Sequence, residues 1–321
     1  MLTSVRLAVM RRHVRHFSSI KQIAVVGLGL MGHGVVQVTA MATSPKFQVV
    51  AVETSQDAID RGRKQINISL SKMLARKVKN GTLTPEDADA HTNEIASRIT
   101  YATDRGALAD CELVVEAIPE DLNMKIQLFK DLGSLTRPEC ILASNTSSLS
   151  VVDMAIASGR PSHVIGLHFF NPVQLMKLVE VVQTEYTDVA IFEKCKEWVQ
   201  SIDKHPVSCK DTPGFIVNRL LVPSLAQAML MLDRGDGSIV DIDKSLELGA
   251  GHPMGPLTLA DYVGLDTCLS ILDGWVQKYP NEPSFVVPAC LKGKVDAGKL
   301  GRKTGEGFYL WKGDKPTQVA P

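Results

Sequence analysis

The feature that most constrains the fold is a glycine-rich turn near the amino end of the chain. Residues 27–32 read GLGLMG and follow the β-branched apolar run QIAVV at Gln22–Val26. The sequence then predicts a helix through about Met41 and a second apolar strand at residues 47–52, which ends at Glu53. Strand, glycine turn, helix, strand and acid in this order are typical of a dinucleotide-binding βαβ unit. The pattern therefore predicts a parallel α/β sheet of the Rossmann type.

Each glycine of the turn has its own role in this interpretation. Gly27 permits the tight turn, Gly29 lets the backbone approach a pyrophosphate, and Gly32 lets the helix pack close to the strand. The N–H groups at the start of the helix then face the phosphates. Glu53 follows Gly32 at the spacing, about 20 residues, at which an acid accepts the ribose hydroxyls. Because its charge would repel a 2′-phosphate, the expected cofactor is NAD rather than NADP.

Polar clusters follow the other predicted strands of the same sheet. Glu120, residues 145–148 and residues 168–171 each come after such a strand. In an open α/β sheet, ligands bind at the carboxyl ends of the strands. These clusters are therefore expected to converge on one crevice. The strands concerned are residues 112–118, 140–143 and 164–167.

A basic helix is predicted between the second strand and the strand at residues 112–118, where the chain is far longer than a standard crossover. Between residues 61 and 79 all the charged residues are basic. Such a face is often plain solvated surface. Beside a dinucleotide fold it also suggests a second ligand that carries phosphate, such as the ADP end of coenzyme A. The basic residues are Arg61, Arg63, Lys64, Lys72, Arg76, Lys77 and Lys79.

Composition narrows the possible functions. The chain has 321 residues, of which 45% are hydrophobic and 22% charged, and its formal net charge is zero. No nucleic-acid partner is therefore expected. No apolar run reaches the length of about 18 residues that a membrane-spanning helix requires, so no membrane span is expected. The six cysteines are scattered without a CxxC or zinc-ligand pattern, so we expect no metal and reduced, mostly packed thiols.

The first residues differ from the rest of the chain. They contain Arg6, Arg11, Arg12 and Arg15, and no acidic residue occurs before Glu53. An Arg-rich, acid-free segment that ends in serines is typical of a mitochondrial presequence. A disordered basic tail is the alternative, whereas a secretory signal fits less well because no long apolar segment follows. Residues 1–18 are therefore predicted to be a presequence for import into the mitochondrial matrix.

Seven motifs resemble those of the L-3-hydroxyacyl-CoA dehydrogenase family, over about residues 21–311. The resemblance implies an oxidoreductase that converts (S)-3-hydroxyacyl-CoA to 3-oxoacyl-CoA with NAD⁺, the third step of fatty-acid β-oxidation. The motifs are GLGLMG at 27–32, ASNTSSL at 143–149, GLHFFNPVQLMKLVE at 166–180, HPVSCKDTPGFIVNRLL at 205–221, LGAGHPMGPL at 248–257, DYVGLD at 261–266 and GEGFY at 305–309.

The predicted organisation has two domains. A Rossmann-type NAD-binding domain is expected over residues 21–210, with a helical-hairpin insertion at residues 57–97. An all-α domain is expected over residues 211–321, and the resemblance implies a homodimer formed through it. Helical patterns in this second part cover residues 215–232, 239–248, 257–279 and 284–297.

The resemblance also implies the site residues. His168 is the catalytic base and Glu180 its partner acid, which suits alcohol oxidation because a neutral imidazole can take the hydroxyl proton. A carboxylate on the other ring nitrogen sets the tautomer and stabilises the imidazolium. Ser147 and Asn218 are expected to hold the substrate's oxygens. Cofactor contacts are implied for Gly27, Gly29, Leu30, Met31, Gly32, Glu53, Glu120, Lys125, Asn171 and Lys303, and coenzyme A contacts for Ser69, Arg76 and Ser147.

Three residues depart from the family pattern. Glu53 stands where Asp is common, which keeps the charge and lengthens the reach. Arg76 stands where Lys is usual, which still suits a phosphate. Gln174 replaces a frequent proline after Asn171, which puts the rigidity of that loop in question.

Three other interpretations of the sequence remain open. A close relative specific for short chains, such as a 3-hydroxybutyryl-CoA dehydrogenase, has the same motifs. A β-hydroxyacid dehydrogenase of the hydroxyisobutyrate type also begins with a Rossmann fold, but it needs neither the basic helix nor HFFNP. A protein of this fold that has lost turnover, as in lens crystallins, is a non-enzyme alternative that the intact His168 and Glu180 disfavour.

Overall fold

The computed structural model describes residues 20–321, so the predicted presequence at residues 1–18 lies outside the described part of the chain. The chain divides into two compact units, with the boundary between Thr212 and Pro213. Among residues 20–321, no helix is long and apolar enough to span a membrane.

An eight-stranded sheet forms the centre of the first unit, in the order β3-β2-β1-β4-β5-β6-β7-β8. All neighbouring strands are parallel except β6 and β7. This sheet confirms the predicted Rossmann type. The strands are β1 (Gln22–Val26), β2 (Gln48–Val52), β3 (Ile99–Ala102), β4 (Leu113–Glu116), β5 (Ile141–Ser144), β6 (Val164–Phe169), β7 (Leu178–Gln183) and β8 (His205–Lys210).

Among residues 20–212, six α-helices accompany this sheet. The helical insertion consists of α2 and α3, which pack against each other, and α2 buries Ile59, Ile66 and Leu70 in the core of the unit. Arg98, at the end of α3, is buried and donates to the carbonyl oxygens of Ala40 and Ala42, which fastens the insertion to α1. The helices are α1 (Gly32–Ala40), α2 (Gln56–Lys79), α3 (Pro85–Ser97), α4 (Leu122–Leu135), α5 (Val151–Ala157) and α6 (Val189–Ser201).

One strand differs from its prediction in a way that concerns the site. The strand predicted at residues 164–167 continues to Phe169, so that His168 lies inside β6 rather than after it. The extension has a physical cause, since β6 pairs with the antiparallel strand β7 from Gly166 to Phe169. No strand was predicted at the residues of β7.

The second unit is helical, as predicted, and it also contains a β-hairpin that was not predicted. Its core gathers apolar side chains of all five helices together with Phe308 beside the hairpin. The elements are α7 (Val217–Arg234), α8 (Ile239–Gly249), α9 (Pro256–Val263), α10 (Leu265–Lys278), α11 (Ala289–Asp296), β9 (Tyr309–Lys312) and β10 (Lys315–Val319).

Two predicted helices of this unit are wrong in extent. The helix predicted at residues 257–279 is interrupted at Gly264, whose φ of +108° is incompatible with a continuous helix. The helix predicted at residues 284–297 is confined to Ala289–Asp296, because Pro288 precedes its first turn in an extended conformation. Apolar periodicity continued across both breaks and concealed them.

Candidate active site

The glycine turn is built for the close approach of a ligand. Gly27 has φ +97°, and a Cβ there would lie 2.7 Å from the carbonyl oxygen of Ala117. A Cβ on Gly32 would lie 1.8 Å from the carbonyl oxygen of Gly27, so the helix start rests directly on the turn. A Cβ on Gly29 would meet no atom within 4 Å, which leaves open space beside this backbone. This cradle fits the pyrophosphate of a dinucleotide.

A cavity of about 960 Å³ opens beside this turn, within the first unit. It is lined by five of the residues predicted to bind the cofactor: Gly27, Gly29, Leu30, Met31 and Glu53. Polar residues outside the predicted cofactor set also line it, among them Arg61, Arg105, Gln127 and Asp131.

Arg61 belongs to the basic helix α2, which was considered as a whole for coenzyme A, and it lines the cavity beside the glycine turn. Arg63 stacks over the ring of Tyr101, 4.5 Å from the ring centroid. Only the tertiary packing of α2 against the sheet separates these residues from the other basic residues of the helix.

Glu53 is positioned by the glycine turn itself. Its Oε1 accepts a hydrogen bond of 2.7 Å from the backbone N–H of Leu28, and its Oε2 accepts one of 2.9 Å from Thr54. Glu has one more methylene than the Asp common at this position, which lengthens its reach. The carboxylate therefore stays at the cavity wall, where ribose hydroxyls are expected.

His168 and Glu180 face each other across two antiparallel strands. They form a register pair of β6 and β7, and His168 Nδ1 lies 2.7 Å from Glu180 Oε2. Both side chains are buried, with Glu180 at 0% exposure. The ring of Phe170 packs beside the imidazole, with 4.4 Å between centroids. A buried carboxylate on Nδ1 holds the ring in the tautomer that carries its proton there, so Nε2 is the basic nitrogen.

Asn145 supports the strand beside this pair. Its Oδ1 accepts a hydrogen bond of 2.9 Å from the backbone N–H of Phe169, the residue after His168. Asn145 follows β5, so the amide links the ends of two strands. It lies in the polar cluster at residues 145–148, but its role in holding β6 was not predicted.

Glu120 gathers the next polar groups. Its Oε1 accepts hydrogen bonds from Thr146 Oγ1 at 2.6 Å and from the backbone N–H of Ser147 at 2.9 Å. Its Oε2 lies 3.1 Å from Lys125 Nζ. Burial opposes ionisation of Glu120, but the charge of Lys125 and the bonds from Thr146 and Ser147 outweigh it and lower its pKa. Glu120 is therefore a carboxylate that ties Ser147 to Lys125.

Glu116, which was not among the predicted site residues, contacts the same lysine. Glu116 is 0% exposed, its Oε1 accepts from Lys125 Nζ at 2.7 Å and its Oε2 accepts from Ser144 Oγ at 2.6 Å. Lys125, predicted to contact the cofactor, is thus only 1% exposed on its side chain and paired with two acids. Glu116 closes the apolar strand β4, and the acid at the end of that run was the signal that could have identified it.

The other predicted site residues lie after β6, on α2 and in the second unit. Asn171 is exposed and follows β6. Ser69 and Arg76 lie on α2. In the second unit, Asn218 lies in the first turn of α7, and Lys303 is ion-paired with Asp266 at 2.5 Å.

The cysteines are free thiols, as predicted, four of them buried and two half-buried. Burial raises the pKa of Cys140 to about 11 and that of Cys195 to about 12. Such thiols are poor nucleophiles at neutral pH.

Comparisons with known proteins match this arrangement. The family description "3-hydroxyacyl-CoA dehydrogenase, NAD binding domain" matches residues 22–212, and the description of the C-terminal domain of the same family matches residues 214–311. The chain is 47% identical over 294 residues to the mitochondrial hydroxyacyl-coenzyme A dehydrogenase of Rattus norvegicus, covering 91% of this chain and 92% of the relative. It is 44% identical over 290 residues to a probable 3-hydroxybutyryl-CoA dehydrogenase of Deinococcus radiodurans, covering 90% of this chain and 100% of the relative.

A solved structure extends the likeness to the backbone. The (S)-3-hydroxybutyryl-CoA dehydrogenase of Ralstonia eutropha superposes with a TM-score of 0.85 at 34% identity. The alignment covers 92% of this chain and 100% of that structure.

Proposed function

The chain belongs to the 3-hydroxyacyl-CoA dehydrogenase family, and from this premise we propose that it oxidises (S)-3-hydroxyacyl-CoA thioesters to 3-oxoacyl-CoA with NAD⁺. This reaction is the third step of fatty-acid β-oxidation. The observation that carries the proposal is the buried contact between His168 and Glu180, in the same unit as the cavity beside the glycine turn.

His168 is proposed as the general base. Its Nε2 takes the proton of the C3 hydroxyl, while NAD⁺, when bound, supplies the acceptor for the hydride that leaves C3. Glu180, which contacts Nδ1, stabilises the imidazolium that forms. In the reverse direction the imidazolium returns its proton to the 3-oxo oxygen. Ser147 and Asn218 are proposed to hold the substrate's oxygens.

The cofactor contacts are proposed for the glycine turn and the neighbouring strand ends. Glu53, held on the amides of Leu28 and Thr54, would meet a 2′-phosphate with like charge, which supports NAD rather than NADP. Asn171 is proposed at the nicotinamide. Gly27, Gly29, Leu30, Met31, Gly32, Glu120, Lys125 and Lys303 complete the proposed set.

An assay of NADH oxidation with acetoacetyl-CoA tests the function directly. We expect consumption of NADH by the wild-type chain and its loss on His168→Gln. A series of longer 3-oxoacyl-CoA thioesters then distinguishes a general from a short-chain enzyme. Wild-type protein that binds NADH but consumes none with any thioester would contradict the proposal.

Coenzyme A is proposed to bind along α2, through Ser69 and Arg76. The support is the row of exposed cations on that helix, which complements the phosphates of the ADP end. Replacing Arg76 and Lys77 together by Ala should raise KM for a CoA thioester and leave a pantetheine thioester nearly unaffected. Added salt should likewise raise the KM of the wild-type enzyme for the CoA thioester. Equal losses on both substrates would assign α2 a role in folding only.

A homodimer formed through the second unit is also proposed. Its surface carries exposed apolar side chains, including Leu220 at 70% and Leu248 at 84% exposure, which favours a protein partner. Light scattering should report a dimer for the wild type and a monomer for Leu220→Asp combined with Leu248→Asp. A monomeric wild type would contradict this proposal.

The mitochondrial matrix is proposed as the location. The relative from rat is named as mitochondrial, and the basic, acid-free start of the chain is typical of a presequence. A fluorescent reporter fused to residues 1–20 should enter the matrix. A reporter that stays in the cytosol would contradict the proposed presequence at residues 1–18.

A further inference from the structure

The loop at residues 171–177 packs tightly on the helix that follows the glycine turn. A Cβ on Gly34 of α1 would lie 2.7 Å from Val173 Cβ and 3.3 Å from Gln174 Nε2. Val173 is buried there, at 2% exposure. The loop, which also carries Asn171, therefore packs directly on α1 at Gly34, where there is no room for a side chain.

Gln174 adds a specific bond to this contact. Its Nε2 donates to Oε1 of Gln37 on α1 across 3.0 Å, and Gln37 is 0% exposed. If the bond opened, the buried amide of Gln37 would lose a hydrogen bond without gaining one from water. This desolvation cost favours the closed contact. Proline, frequent at position 174 in the family, stiffens a loop through its ring, whereas Gln174 ties the loop to α1 through its side chain.

Lys204 also holds this loop. It lies between α6 and β8, is only 7% exposed, and donates through Nζ to the carbonyl oxygens of Val173 and, at 2.8 Å, of Met176. The backbone N–H groups of Leu175 and Met176 donate to Pro172 and close the loop into a turn. Burying a lysine ammonium is costly unless it is hydrogen-bonded, and here both of these acceptors belong to the loop.

We propose that Gln174 and Lys204 are positioning residues, which hold the loop at residues 171–177 on α1 so that Asn171 and the glycine turn keep one relative geometry for the cofactor. The inference rests on the proposed cofactor role of Asn171. A loop fixed in this way is ordered before the cofactor arrives, which reduces the entropy cost of binding.

Gln174→Leu tests the inference with three readouts. We expect the dissociation constant for NADH to rise about 2- to 12-fold, the range of one neutral hydrogen bond. The KM for the thioester should stay within about twofold, because α2 and not this loop is proposed to hold coenzyme A. Amide hydrogen exchange at Leu175 and Met176 should accelerate. The control is Gln200→Leu, which alters an exposed glutamine of α6 and should change none of these quantities.

A double-mutant cycle with Gln37→Leu isolates the bond. The double variant should bind NADH no more weakly than the weaker single variant, because both remove the same contact. Lys204→Met provides an independent route to the same loosened loop and should also accelerate exchange at Leu175 and Met176. Unchanged exchange and unchanged NADH binding in Gln174→Leu, or additive losses in the cycle, would overturn the inference. Because NADH binding and amide exchange need no thioester, these two readouts remain informative even where acetoacetyl-CoA is not reduced.

Discussion

The buried acids of the two units are held in different ways. In the first unit, Glu116 and Glu180 are 0% exposed, and each contacts a side chain that can carry a positive charge, Lys125 for Glu116 and His168 for Glu180. Glu116 also accepts from Ser144 Oγ and from the backbone N–H of Ile118. In the second unit, the buried acids are Asp243 and Asp261. Asp243 accepts from the backbone N–H groups of Leu257 and Thr258 and from two hydroxyls, and Asp261 accepts from Phe308 N, Tyr309 N and Trp311 Nε1.

This difference separates chemistry from stability. A backbone amide does not change protonation, so an acid bound to amides has no proton-transfer partner among them. An acid on an imidazole can stabilise the charge that appears when the ring takes a proton. Asp261 accordingly joins the start of β9 to α9, whereas Glu180 lies where a proton transfer is proposed.

The largest effect is expected from the pair in the first unit. His168→Gln removes the base, so kcat should fall about 10²- to 10⁴-fold. Glu180→Gln should also lower kcat strongly, because a neutral amide cannot stabilise the positive charge of the imidazolium. The double variant should lose no more than the worse single variant, since Glu180 acts through His168. Steady-state kinetics of the three variants decides this, and a loss equal to the product of the two single losses would refute the dyad. NADH binding should survive in all three.

Asp261→Asn should lower the stability of the protein and leave kcat largely unchanged. An amide cannot accept from all three donors that Asp261 serves, so the free energy of unfolding should fall by about 2–4 kcal/mol. Urea unfolding measures this, while kcat per folded molecule should change far less than in His168→Gln. A variant of wild-type stability with greatly reduced kcat would break the division between the two kinds of acid.

Glu53 sharpens the comparison because it is held by backbone amides and yet faces the cavity. Glu53→Ser should narrow the preference for NAD over NADP about tenfold, mainly by weakening NAD, since a charge-assisted ribose contact is lost. Ratios of kcat/KM for the two cofactors measure it. Equal use of both by the wild-type enzyme would contradict the role of Glu53, and unchanged ratios with lower stability would make it structural.

The smallest effect is expected from an exposed acid, Glu94. Hydrogen bonds from Lys46 and Arg98 lower its pKa from 4.5 to about 2. Because the pKa is lowered in the folded state, the stabilisation is present above pH 4.5 and is lost as the pH falls towards about 2. The stability difference between wild type and Glu94→Gln should therefore shrink over that range in urea unfolding. A difference that stays constant with pH would disprove the ion-pair origin.

The parts of the fold that depend on local order were predictable from the sequence. The glycine turn and β1 followed from strand and turn preferences that act within a few residues. The parallel sheet followed from alternating strand and helix patterns. The break at Gly264 was missed because apolar periodicity reports which face is buried, not where the backbone changes direction.

The sequence by itself determined the chemistry available: a base, an acid, a dinucleotide turn and a row of cations. Tertiary structure decided which of these meet. His168 opposes Glu180 only because β7 runs antiparallel to β6 in one particular register, and a shift by one residue would turn Glu180 to the other face of the sheet. The contacts of Glu116 with Lys125 and of Gln174 with Gln37 likewise join segments that are distant in the chain. Such contacts depend on strand order and helix packing, which local residue patterns do not encode.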